Sequence, residues 1–126
     1  MYKLNIALGA LNAFIAVAAG AFAAHGLKDV LSPDYLQTFK TAADYQMMHG
    51  IGLVLIGILQ QTNTSRALHY ASAIMFAGII LFSGSLYALT LSGIQWLGII
   101  TPFGGICFLL AWLIVGSLYF CTKNNS

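Results

Sequence analysis

Charge is what this chain of 126 residues most plainly lacks: Asp, Glu, Lys and Arg together make up 6% of it. A soluble domain carries roughly a quarter. So few charges cannot cover a water-facing surface, so the solvent for most of the chain must be lipid. The three acids and five bases leave a net charge of +2, too weak a field to recruit nucleic acid. None of these charges lies inside a long apolar stretch, which removes the groups that usually couple transport to protons or cations. Cysteine is scarce as well, with only Cys107 and Cys121. In one helix they would stand about 21 Å apart, at about 1.5 Å of rise per residue. A disulfide needs its Cα atoms within about 7 Å, so they cannot bridge within one chain, and they match no metal-ligand spacing.

What fills the chain instead is apolar: 60% of it is hydrophobic and its mean hydropathy is +0.86. Four uncharged stretches stand out, Leu4 to Ala24, Tyr45 to Gln61, Ala67 to Leu91 and Trp96 to Phe120. A hydrocarbon core of about 30 Å takes about 20 residues of helix to cross. The stretches predict spans over residues 4–25, 45–62, 67–91 and 96–120, within one membrane domain over 1–126. Links as short as Gln61 to Arg66 and Leu91 to Gln95 make consecutive helices antiparallel neighbours. Lys3 and the small residues 21–23 give the first stretch a signal-peptide look, but its length exceeds an h-region of about 7–15 residues. A retained helix is expected.

Between the first two spans, Ser32 is a good N-cap, Pro33 suits the first helical position and Asp34 suits the positive helix end. Tyr35, Leu36, Phe39, Ala42 and Ala43 then recur at helical spacing, so residues 33–44 predict an amphipathic helix. It either lies on the interface as a separate element or continues into the second span as one long bent helix. The fold class expected is all-α: a polytopic membrane protein, a four-transmembrane-helix antiparallel bundle with a short amphipathic interfacial helix between helices 1 and 2.

An even number of spans puts both termini on one side with the Gln61–Arg66 link. That side holds Lys3, Arg66 and Lys123, the other Lys28 and Lys40. The excess of basic residues makes the terminal side cytoplasmic. Tyr2, Tyr70 and Tyr119 fall near that side, and Tyr35, Tyr45, Tyr87 and Trp96 near the other, as interfacial aromatics do. Trp112 falls mid-span and is expected to pack between helices.

Threading the spans up and down brings His25, Gln46, His49, Ser83, Ser85, Tyr87 and Thr101 to one depth near the non-cytoplasmic face. His69 falls on the opposite side. An unpaired polar group in hydrocarbon costs several kcal/mol, so these residues should turn inward and bond. Pro102 with Gly104 and Gly105 predicts a broken start to the fourth helix. Two readings compete. Polar side chains in membrane bundles often serve as interhelical glue, and small residues at Gly9, Ala13, Ala16, Gly20 and Ala24 suit close helix contact. Ionisable residues in spans and broken helices also mark binding sites.

The segments GAFAAHGL (20–27), FKTAADYQMMH (39–49), LFSGSLY (81–87) and TPFGGICFLLAW (101–112) resemble, in order and spacing, the DUF423 family of small bacterial inner-membrane proteins, also called UPF0382. Ala23 and Ala111 stand where the pattern favours glycine, both small-for-small changes. The resemblance implies a four-helix protein of the bacterial inner (plasma) membrane and carries over no catalytic residue.

For function, an accessory or structural membrane component is the first expectation, in a homo-oligomer or a larger complex with the lipid bilayer as its surroundings. A polar pocket that binds or passes a small solute, ion or lipid headgroup is the second. An enzyme is not expected: Ser83 and Ser85 have no acidic orienter at their depth. His25 and His49 alone fall short of a tetrahedral metal site. No cofactor is implied.

Overall fold

A computed structural model describes residues 2–121, and of Cys121 only the backbone. Four helical spans follow one another: α1 (Tyr2–His25), α2 (Pro33–Gln60), a third running from Arg66 to Ser92, and a fourth from Gln95 to Phe120 and beyond. The third is composite, with α3 (Arg66–Gly78), a π-helical turn (Ile79–Gly84) and α4 (Ser85–Ser92). The fourth opens with a 3₁₀ turn (Gln95–Ile99) and continues as α5 (Thr101–Cys121). Gly93, with φ of 75°, closes α4 in the left-handed conformation that glycine adopts without strain.

α2 starts where its capping residues dictate. Ser32 Oγ accepts from the Tyr35 N–H at 3.2 Å, and Pro33 and Asp34 occupy the first turn. From there the helix runs unbroken to Gln60. Residues 33–44 are therefore its first turns, not a separate interfacial element. The amphipathic pattern is real, but its apolar face meets protein. Phe39 packs with Ala23 and Leu27 at the end of α1, and Asp34, Gln37, Lys40 and Asp44 stay exposed.

α1 packs along α2, antiparallel, and does not pack along α5. At the crossing the two backbones nearly touch. A Cβ on Gly9 would stand 2.5 Å from the Gly50 carbonyl oxygen, and one on Gly50 would stand 2.9 Å from that of Gly9. Only hydrogen side chains allow this approach. The small residues expected on this seam are only partly used. Gly9 and Ala16 are buried, whereas Gly20 has nothing near it and Ala24 is exposed. Asn5 and Asn12 take the places in between.

The main core lies between α2, α3, the π turn and α5, built on Leu53, Ile56, Leu68, Met75 and Phe108. Here too glycine sets the spacing. Gly78 faces the Phe108 ring at 2.6 Å from where its Cβ would be, and a Cβ on Gly104 would overlap the Phe82 backbone. The fourth span does start broken, just before Pro102: the 3₁₀ turn ends with its C-cap at Ile100, and α5 then runs straight through Pro102, Gly104 and Gly105. Pro102 is the second residue of that helix, where a missing N–H leaves no helical bond unmade. The change of helix type falls at Ile100, one turn earlier than the glycines.

Candidate functional site

The expected polar layer is occupied, but it is divided among separate partnerships. The largest crosses three helices. Tyr87 Oη donates to Gln46 Oε1 at 2.7 Å, Gln46 Nε2 donates to Asn12 Oδ1 at 3.0 Å, and Asn12 Nδ2 donates to the Leu8 carbonyl at 2.8 Å. This chain fastens α1, α2 and α4 together. Ser83, on the π turn, donates to the Ala42 carbonyl at 2.8 Å. Ser85 and Thr101 hydroxyls lie 2.6 Å apart, and Ser85 Oγ also bonds to the Phe82 carbonyl. At the other end of the α1–α2 seam, Asn5 Nδ2 donates to Gln60 Oε1 at 2.7 Å.

His25 is not brought into the layer. α1 ends on it, and the chain turns as the Gly26 and Leu27 N–H groups both bond to the Phe22 carbonyl. Leu27 goes inward while His25 stays exposed. Gln46 and His49, three residues apart, also separate. α1 and α5 lie on different sides of α2, so Gln46 turns to the first and His49 to the second. Tyr45 and His49, four apart, are the pair that shares a face, with ring centroids 6.0 Å apart.

His49 is the one ionisable side chain among the described residues that is buried, at 2% exposure. Its ring stacks on Phe108 with centroids 3.4 Å apart and planes within 7°. Tyr45 and Phe82 stack alongside at 4.6 Å, and Trp112 tilts against the imidazole at 5.9 Å. Nδ1 lies 2.7 Å from the Tyr45 carbonyl oxygen. A carbonyl can only accept, so Nδ1 carries the hydrogen and the neutral ring presents its lone pair at Nε2. These rings line a lateral groove of about 480 Å³ between α2 and α5, which Pro102 and Gly105 also line. Trp112 is thus half between helices: its ring meets Gly52 and His49, and the residue remains 38% exposed.

No group of three or more His, Cys, Asp or Glu gathers among the described residues. Cys107 is a free thiol, and the side chain of Cys121 lies outside the described residues. His69 is exposed beside Arg66, in a depression of about 420 Å³ that also includes Tyr2 and Gln60.

Residues 19–105, holding most of these partnerships, match the family described as "Protein of unknown function (DUF423)". The chain is 50% identical over 113 residues to a UPF0382 membrane protein of Staphylococcus epidermidis, covering 90% of this chain and 92% of that one. It is 44% identical over 114 residues to the UPF0382 membrane protein YwdK of Bacillus subtilis, covering 90% and 93%. The chain belongs to the DUF423/UPF0382 family. No solved structure matches it. Like the relatives so named, this family member is a membrane protein with four spanning helices.

Sequence reasoning missed two features of it. Asn5 and Asn12, polar residues within the first apolar stretch, are both buried anchors of the α1–α2 seam. The aromatic groove was also missed. Its signal was the spacing of Phe108 with Trp112 and of Tyr45 with His49, each four apart and so on one helical face.

Proposed function

We propose that this protein is an accessory or structural component of a membrane assembly, not an enzyme, held in the bacterial inner (plasma) membrane with both termini cytoplasmic. The observation that carries this reading is the fate of the polar layer. Gln46, Ser83, Ser85, Tyr87 and Thr101 are each bonded to another helix or its backbone, which leaves no shared polar pocket for a solute. Such bonds hold helices together. The outer helices support a packing role as well: of their most apolar 18 residues, 22% in α1 and 17% in the fourth span are buried, against 50% in α2. Wide apolar faces of this kind suit either lipid or neighbouring helices.

The orientation rests on charge. Lys3 and Arg66 stand at the same end, with Tyr2 and Arg66 lining one depression, and Lys28 and Lys40 stand at the other. Lys123 adds to the first side but lies outside the described residues. Basic residues favour the cytoplasmic face.

The test is extraction from the native host in mild detergent, followed by intact-complex mass. A stoichiometric foreign chain travelling with this one is the expected result. A monomer or homo-oligomer alone overturns the accessory role and moves the weight to ligand binding.

A further inference from the structure

The geometry points to a ligand site in the lateral groove between α2 and α5: it binds the hydroxylated aromatic ring of a membrane-soluble phenol or hydroquinone, whose hydroxyl donates to His49 Nε2. The inference is independent of whether the chain has a protein partner.

His49 Nε2 has no protein partner, and it is not sealed from the surface, since no buried side-chain N or O atom among the described residues lacks a bond. With Nδ1 fixed as a donor to Tyr45, Nε2 of the neutral ring can only accept. The group it awaits therefore carries an O–H or N–H. Two further ring groups able to hydrogen-bond, the Tyr45 hydroxyl and the Trp112 indole N–H, line the same groove and make no bond to protein. At this depth the other polar partnerships are closed, as on the Asn12–Gln46–Tyr87 chain. An acceptor left open in lipid costs free energy unless something meets it.

The walls decide the rest of the ligand. Tyr45, Phe82 and Trp112 offer aromatic surface that suits a flat ring in offset-stacked or edge-on contact. No charged residue lines the groove, so an anion finds no cation and a metal ion finds only one nitrogen. Its volume of about 480 Å³ falls in the range of about 300–1,000 Å³ usual for small-molecule sites. The rim residues Met48, Ile106 and Leu109 are apolar and exposed, so entry is from the bilayer and the ligand must be lipid-soluble. The π turn that carries Phe82 into the groove is a form often found at functional sites.

The probe is 3-bromo-5-decylphenol, with its methyl ether as the partner lacking a donor. Bromine quenches indole fluorescence, and a Trp96→Phe background leaves Trp112 as the reporter. In detergent micelles the phenol is expected to quench saturably, at a mole fraction about tenfold below that of the ether, the worth of one hydrogen bond. His49→Phe keeps a stacked ring and removes the acceptor, so phenol and ether should become equal. Gly105→Leu, at a position where a Cβ meets nothing within 4 Å, fills the groove without disturbing the fold and should abolish saturable quenching by both. Equal quenching by phenol and ether in the native chain means an apolar surface only and overturns the proposal. So does a phenol preference that survives Gly105→Leu, or one that survives in a folded His49→Phe protein.

Discussion

The two flanks of α2 solve the problem of polar atoms in lipid in opposite ways. Toward α1 the contact is close and closed: glycine meets glycine at Gly9 and Gly50, and amides bridge the seam on either side, Asn5 to Gln60 and Asn12 to Gln46. Toward α5 the contact is aromatic, with His49 flat on Phe108, and the polar edges of three rings stay without protein partners. Lipid offers no hydrophobic force to draw apolar helices together, so association there relies on tight packing and interhelical bonds. The first flank uses both. The second leaves hydrogen-bonding capacity open beside the bilayer, which makes it the flank able to receive something.

If that contrast is sound, damage to the closed flank should be the more severe. Gly50→Leu forces a side chain against the Gly9 carbonyl, the Ala13 N–H and Asn12. Two helix backbones cannot yield as a side-chain tip can, so the cost should reach or exceed the upper end of the about 1–3 kcal/mol usual for overpacking. Loss of a monodisperse folded species in detergent is the expected outcome; a melting temperature equal to that of the native chain would refute the seam. Next comes Gln46→Leu, which strands the Tyr87 hydroxyl and Asn12 Oδ1 at about 1–3 kcal/mol for an unsatisfied buried group. Adding Tyr87→Phe removes one stranded group and should restore part of the loss. If the double variant melts lower than the single one, the bond is not what holds these helices.

The difference between the flanks also explains what could be read from the sequence. Span number, the Ser32–Pro33–Asp34 start of α2 and the amphipathic face of Phe39, Ala42 and Ala43 follow from local periodicity and capping, and the structure has them. Up-and-down threading also brought level two pairs that bond, Gln46 with Tyr87 and Ser85 with Thr101. Direction around the helix was not legible. Gln46 and His49 share a height but diverge because α1 and α5 lie on different sides of α2, and one sequence does not say which neighbour is where. For the same reason the sequence does not name Asn12 as the partner of Gln46, whereas the broken start before Pro102 is a local effect of proline and was legible.

Smaller effects belong to the aromatic flank. His49→Leu keeps an apolar side chain of fair size but ends the stack on Phe108, and such ring pairs add about 0.5–1.5 kcal/mol beyond their burial. The bond lost, from Nδ1 to Tyr45, lies within α2 and joins no other helix. A modest drop in thermal midpoint is expected, below that of Gln46→Leu. An unchanged midpoint would mean that the stack holds nothing, and a collapse would mean that His49 is as structural as the glycine seam.

Gly105→Leu should give the smallest stability change. Its Cβ has open space around it, although the position lies between Gly104, where a Cβ would overlap the Phe82 backbone, and the Phe108 turn. Adjacent glycines thus make opposite predictions: Gly104→Leu should break the contact of α5 with the π turn, and Gly105→Leu should stay within about 0.5 kcal/mol of the native chain, as substitutions free of new contacts do. Thermal unfolding of the two side by side checks this. If Gly105→Leu melts as low as Gly104→Leu, the groove is closed in the folded protein and cannot admit a ring. If only Gly104→Leu falls, the wall beside His49 is an open surface on a rigid frame, which is the condition a ligand from the bilayer requires.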